Sequence, residues 1–206
     1  LLLNGEGSDH GLPYRAAKRT TDVALSAVGL MLSLPVLALA ACAIKLDSKG
    51  PVLYWQTRIG VERQPFPLFK LRTMREHAEV ATGPALAELE DTRITRVGRL
   101  LRKSRVDEIP QLWNVLRGDM SIVGPRPERP EFVHRLMEDF ELFRFRTSVR
   151  PGLTGWAQVH QGYVNQWQDF ERKLAYDLFY LKHRSFSMEM SILRETLVEL
   201  ILLKGV

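Results

Sequence analysis

The sequence predicts a mostly helical α/β protein: one compact cytosolic domain on a re-entrant, Pro-broken N-terminal membrane helix, with amphipathic interfacial helices. Three observations predict it. A run of 22 residues, Val23 to Ile44, carries no charge and contains Pro35. Two short segments of β-type composition follow. Beyond them, apolar residues recur at helical spacing nearly to the C-terminus. The division that results is an N-terminal segment (1–17), a membrane helix–break–helix (18–48) and a domain over 49–206.

The apolar run comes first. As a straight helix it reaches roughly 33 Å, enough for the hydrocarbon core of a bilayer. It is long for the apolar part of a signal peptide and it starts late. Arg15, Lys18 and Arg19 precede it, and Lys45 and Lys49 follow it. Positive charge stays on the cytoplasmic side. A full span strands one basic cluster outside, whereas a hairpin keeps both inside. Pro35 has no N–H to give the Met31 carbonyl, so a break is expected there. The Ser33 hydroxyl is placed to satisfy a carbonyl that the break frees. A Pro-kinked span and a buried core helix are the alternatives.

PVLYWQTRIG reads as a strand bounded by glycines, and PFPLFKLRTM as a second extended piece, because two prolines oppose helix. Residues 76–92 read as a surface helix or loop. RITRVGRLLRKS spaces its apolar residues as a helix does. VDEIPQLWNVLRG is a second helix, starting near Val106 or Asp107 and closed by Gly118. GDMSIVGPRPERP is a Gly- and Pro-rich loop. Residues 131–146 are an amphipathic helix, and VRPGLTGWAQV is a loop leading into an extended piece. Residues 167–183 and 187–203 are helical, the last apolar enough to pack on the core or to lie in a membrane interface.

A formal charge of +5 points to an anionic partner: nucleic acid, anionic lipid or phosphorylated substrate. The chain carries no helix-turn-helix, zinc or RNA-binding signature, so no nucleic-acid partner is expected. A single cysteine, Cys42, excludes an intrachain disulfide. The oligomeric state is unknown from sequence.

Pro110 is tolerated only in the first turn of its helix. Asp107 and Glu108 therefore fall at a positive helix end, which favours ionised carboxylates and bound phosphate. Arg99, Arg102, Lys103 and Arg105 add positive charge nearby, while the two carboxylates repel each other. A divalent cation relieves that repulsion, and Mg²⁺ binds through one or two carboxylates plus substrate phosphates. Lys70 and Arg72, two apart in an extended segment, share one face. Arg126 is stiffened between two prolines, and Arg150 precedes a turn. Arginines so held suit phosphate recognition. Trp156 and Trp167 are placed either to stack on a base or sugar ring or to pack the core.

These segments together resemble the bacterial sugar transferases, the monotopic phosphoglycosyl transferases. The matching pieces run in order from KRTTD through GPVLYWQTRIG, FKLRTM, DEIPQLWNVLRGDMSIVGPRP and RPGLTGWAQV to YDLFYLKHRSFSMEMSI. They cover the chain from about Lys18. The resemblance implies a re-entrant helix with both ends cytoplasmic, at a bacterial inner membrane. It implies Asp107 as nucleophile and Glu108 as a second essential carboxylate. It implies Mg²⁺ held near Asp107, and Arg102 and Arg126 on phosphate. The implied reaction moves a phospho-sugar from a UDP-sugar to polyprenol phosphate, releases UMP and begins exopolysaccharide or glycoconjugate synthesis. A non-catalytic, basic, membrane-anchored scaffold of polysaccharide assembly is the alternative. Three departures from the family pattern stand out. Leu34 precedes Pro35, with Ser33 one earlier. Arg105-Val106 precedes the Asp-Glu pair where Ser-Leu is common. The segment HQGYVNQWQDF differs from the forms expected after GWAQV.

Overall fold

The computed structural model describes residues 11–76, 91–161, 167 and 169–202. Its first element, α1 (Leu12–Asp47), starts with a proline in its first turn and ends where Ser48 N–H bonds the Ile44 carbonyl. The buried or half-buried positions from Asp22 to Ile44 are 22, 26, 29, 30, 33, 37, 40, 41, 43 and 44. That spacing is one continuous stripe at the helical period, so α1 meets the rest of the protein along most of its length. The other faces leave Val28, Met31, Leu32, Leu34 and Leu39 exposed.

The break expected at Pro35 does not form. Helix continues through it from Leu12 to Asp47. Ser33 Oγ donates to the Leu30 carbonyl at 3.0 Å, not to Met31, the residue that Pro35 deprives of a donor. Packing along the stripe on both sides of the proline outweighs one lost backbone bond, which costs about 3 kcal/mol. Gly29 sits in this contact: a Cβ there would lie 3.1 Å from Leu112 Cδ1.

Polar residues lock the two ends of α1. Arg19 donates to the Val115 and Leu116 carbonyls at 2.6 and 2.9 Å. Lys18 bonds Glu189 at 2.9 Å. Asp22 is buried and accepts from Ser121 Oγ at 2.8 Å and Ile122 N–H at 3.1 Å. At the far end, Asp47 Oδ2 accepts from Val97 N–H at 3.0 Å. Leu37, Ala40 and Ile44 pack there with Leu71, Leu101 and Val106.

The two extended segments form an antiparallel hairpin, β1 (Leu53–Ile59) with β2 (Pro65–Leu71), pairing Leu53 with Leu71 and Ile59 with Pro65. The α2 helix (Arg96–Lys103) is capped by Thr95, whose side chain accepts from Gly98 N–H at 2.9 Å. A 3-10 turn, Val106–Glu108, leads to α3 (Gln111–Arg117), which Gly118 closes in the left-handed conformation. The predicted helix start near Asp107 is therefore corrected. Pro110 is the N-cap, and Asp107 lies in the preceding turn. The dipole of a seven-residue helix has little hold on it.

Asn114 joins α3 to the hairpin. Its side chain accepts from Phe69 N–H and donates to the Pro67 carbonyl. A parallel pair, β3 (Ser121–Val123) with β4 (Gly152–Thr154), runs under the loop between β3 and α4 (Pro130–Asp139). The predicted helix over 131–146 stops at Phe140, and a 3-10 stretch, Glu141–Ser148, replaces its second half. The extended piece expected near GWAQV is instead α5 (Trp156–Gln161). The chain continues in α6 (Asp169–His183) and α7 (Phe186–Ile201). The main core joins Phe66, Leu68, Val115, Met120 and Val123 to Tyr180 and Ile192 of the last two helices. One face of α7 leaves Phe186, Met190, Leu197 and Ile201 exposed. The surface element expected over 76–92 lies almost wholly outside the described residues.

Candidate active site

The 3-10 turn presents Asp107 and Glu108 toward β2. Arg105, just before it, takes a positive φ of 54°, a conformation that costs a non-glycine residue about 1 kcal/mol. That bend ends α2 and turns the carboxylates inward. Lys70 follows Phe66 and Leu68 on the buried face of β2, and its Nζ donates to Glu108 Oε1 at 2.8 Å. Arg126 reaches the same carboxylate from the β3–α4 loop. Its Nη2 bonds Oε1 and its Nη1 bonds Oε2 at 3.4 Å, a two-pronged grip.

Asp107 is treated differently. It is only 5 % exposed, and its carboxylate accepts no hydrogen bond among the described residues. Burial pushes it up to about 6, against the pull of Lys70; the charge of Glu108 adds to the rise, and Arg102 and Arg126 oppose it. Glu108 is buried too, but the charges and hydrogen bonds of Arg126 and Lys70 overcome that and hold it well below the usual carboxylate range. Of the opposing influences that the sequence placed at Asp107, positive charge is therefore not the stronger. Its two neighbouring cations are spent on Glu108, and desolvation dominates.

Arg102 Nε donates to Thr73 Oγ1 at 2.9 Å, which holds its guanidinium near Asp107. Arg72 does not join this cluster. Strand β2 ends at Leu71, so the alternation that would align Arg72 with Lys70 stops. Arg72 Nη2 turns to the Ser48 carbonyl and hydroxyl at 2.8 and 2.9 Å. Arg150 Nε bonds the Gly118 carbonyl at 2.9 Å, at the opposite end of α3 from the Asp-Glu pair. Trp156 stacks with Phe179, and Trp167 packs on Phe170 with its Nε1 on Asp139.

Among the described residues no group of three or more His, Cys, Asp or Glu could hold a metal ion, so a Mg²⁺ ion would rest on Asp107 and on groups the substrate brings. Asp107 offers an acceptor-only carboxylate that nothing else occupies, and one such ligand suffices when substrate phosphates supply others. Gln111, one turn further on, buries an Nε2 with no partner among the described residues.

Three features went unforeseen. Asp22 anchors the long apolar helix α1, Asn114 anchors α3, and the loop carrying Arg126 rests on buried charges. Glu128 is held down to about 2: burial works against ionisation, but Lys173 and Arg146 prevail. Arg146 Nε donates to Asp177 Oδ2 at 2.7 Å. The signal was present in α6, where positions 170, 173, 174, 177, 180 and 181 are buried. Lys173 and Asp177 fall on that apolar stripe, where charge is affordable only with partners.

The candidate site is thus a buried carboxylate, unpaired among the described residues and ringed by cations, in a chain that also carries one long apolar helix. Residues 13–202 match the family described as bacterial sugar transferase. The chain is 39% identical to a UDP-N-acetylgalactosamine-undecaprenyl-phosphate N-acetylgalactosaminephosphotransferase of Aeromonas hydrophila, over 89% of this chain and 43% of that protein. It is 38% identical to a UDP-glucose:undecaprenyl-phosphate glucose-1-phosphate transferase of Escherichia coli (strain K12), over 86% and 39% of the two. It is 40% identical to an exopolysaccharide production protein of Rhizobium leguminosarum bv. phaseoli, over 88% and 93%. The chain spans less than half the length of the first two relatives and nearly all of the third. It belongs to the bacterial sugar transferase family.

Proposed function

We propose that the chain transfers a phospho-sugar from a UDP-sugar to polyprenol (undecaprenyl) phosphate, with Asp107 as nucleophile. The observation that carries this reading is the unequal carboxylate pair: Asp107 buried and unpartnered, Glu108 gripped by Lys70 and Arg126.

An Asp107 Oδ attacks the β-phosphorus of the donor. The bond from that phosphorus to the bridging oxygen breaks, and UMP leaves with that oxygen. A phosphate oxygen of the polyprenol then attacks the same phosphorus and breaks its bond to Asp107. The product is a polyprenol diphosphate sugar, and the aspartate is regenerated. This is covalent catalysis in two displacements. Lys70, Arg102 and Arg126 neutralise charge that gathers on the diphosphate oxygens. Glu108 holds Lys70 and Arg126 in place and keeps them from pairing with Asp107, which stays open to substrate. Asp107 would be the protein's ligand to a Mg²⁺ ion, which would supply further neutralisation of phosphate charge when bound.

The exposed apolar faces of α1 suit a bilayer, and both of its ends are bonded to one and the same domain. On this reading both ends are cytoplasmic, at a bacterial inner membrane, and α1 lies along that surface with its apolar faces in the bilayer, without crossing. The lipid acceptor's phosphate then meets the site at the membrane surface. Cysteines placed at positions 15 and 49, in a chain whose Cys42 is replaced by Ser, will label from the same side. Labelling from opposite sides would establish a true span.

Purified chain with Mg²⁺, UDP-sugar and polyprenol phosphate is expected to release UMP, and Asp107→Asn to abolish that release. Turnover retained by Asp107→Asn would remove the nucleophile assignment. Normal polysaccharide output from a strain carrying the same substitution would favour a scaffold instead.

A further inference from the structure

The loop between β3 and α4 has no regular structure, yet the carbonyls from Pro125 to Glu128 are all taken. Gly152 N–H donates to Pro125 O and Ile59 N–H to Glu128 O, at 2.9 and 3.0 Å. Arg58 Nη1 donates to Pro127 O at 3.1 Å, and Arg146 Nη2 to Arg126 O at 2.9 Å. Gly152 is needed for the closeness: a Cβ on it would lie 2.1 Å from the Gly124 nitrogen.

Water satisfies the carbonyls of an ordinary surface loop. Here two backbone N–H groups and two guanidinium groups do it, and the guanidiniums are themselves buried among charges. Arg146 is 6 % exposed and Asp177 1 %. Arg146 Nε bonds Asp177 Oδ2, and Arg146 lies 3.6 Å from Glu128, which also binds Lys173. Burying four charges in this way is costly and is weak support for stability in itself. Its effect is local. The carbonyl of Arg126 is fixed on one side, while its guanidinium grips Glu108 on the other.

We propose that Arg146, oriented by Asp177, is a positioning residue for the transfer reaction. It fixes Arg126 through the main-chain carbonyl and thereby sets Glu108 beside Asp107. The path runs from Asp177 on α6, through Arg146 on the 3-10 stretch and Arg126 on the loop, to the turn of the nucleophile. The planar fork of Arg146 serves two acceptors at once, one through Nε and one through Nη2. A lysine keeps the charge but loses that fork. The inference rests on the phosphoglycosyl transfer reading above.

The test is a kinetic cycle in the full detergent-solubilised chain, with Mg²⁺, UDP-sugar and polyprenol phosphate, on Arg126→Lys, Arg146→Lys and the double variant. Arg146→Lys is expected to lower kcat about 10- to 100-fold, the scale of a small misplacement of catalytic groups, and to leave KM for the donor within about threefold. The double variant is expected to be no slower than the slower single one, because without Arg126 there is nothing left for Arg146 to position. Asp177→Asn, which keeps an acceptor oxygen, is expected to retain more kcat than Asp177→Ala. The core truncation Ile192→Val, matched in thermal midpoint, is expected to leave kcat unchanged. Losses that multiply in the double variant, or an Arg146→Lys enzyme with full kcat, would overturn the proposal. If Arg146→Lys does not fold, the cycle of Asp177→Asn with Arg126→Lys decides by the same criterion. Failure of the transferase reading shows separately, as turnover by Asp107→Asn.

Discussion

Asp107 and Glu128 are both acidic, both buried and both close to several cations, yet the protein holds them at opposite extremes. Glu128 is pulled down to about 2 by Lys173 and Arg146. Asp107 is pushed up to about 6 by burial, because Lys70 and Arg126 are bonded to its neighbour Glu108 and not to it. Burial alone does not settle the state of a carboxylate; the assignment of its partners does. Complete pairing gives a fixed internal strut, and a withheld partner gives a group free to act on something that arrives. Both outcomes occur in one small domain, joined by the loop that carries Arg126.

The difference can be broken from either side. The largest expected effect is on Asp107→Asn, which should lower transfer at least about a thousandfold. Its unfolding midpoint should stay level or rise, since the substitution removes an unpaired buried carboxylate. A clear loss of stability would place Asp107 among the struts.

Glu128→Ala should do the reverse. It leaves Lys173 and Arg146 buried beside a missing partner, a loss of about 3–5 kcal/mol in chemical denaturation. The milder Glu128→Gln tests the same point through pH. A carboxylate depressed in the folded state contributes stability above its ordinary value, and that contribution fades as pH falls from about 4.5 towards 2. Acid unfolding of Glu128→Gln should therefore depend less on pH across that window than acid unfolding of the parent. Asp177, held above its ordinary value by burial, acts in the opposite sense and does not replace the lost dependence.

A smaller effect is expected at Lys70. Asp107 must be ionised to attack, so kcat/KM should fall as pH drops through about 6. Lys70→Met removes an influence that lowers the Asp107 value. The acid limb should then move to higher pH, and activity at neutral pH should fall about 10- to 100-fold. An acid limb that moves down would mean that Lys70 acts on Glu108 alone.

What the sequence disclosed and what it withheld divide along contact distance. Asp107, Glu108, Lys70, Arg102 and Arg126 were each legible as candidates because their types and local spacing mark them. Both strands of the hairpin, α2 and the Gly118 stop were legible for the same reason, whereas β3 lies in a segment read as a loop. The places where Arg72 and Arg150 go depend on where β2 ends and on which end of α3 the RPG turn meets, and neither is a local property. The helix over Pro35 persists because residues far along the chain pack on both sides of it. The supports of the site lie further off still. Asp22 reaches β3, Asn114 reaches β2, and Arg146 joins a loop to α6. The charges of Lys173 and Asp177 on a buried stripe were the readable trace of that last support.

The central claim is that Asp107 carries the phospho-sugar between donor and acceptor. The most direct measurement is UMP release and intact mass after mixing the chain with Mg²⁺ and UDP-sugar, with no polyprenol phosphate present. A covalent intermediate predicts a burst of up to one UMP per chain, with a phospho-sugar added at Asp107 and lost when polyprenol phosphate is supplied. A chain that releases no UMP and gains no mass until the lipid acceptor is present would contradict it.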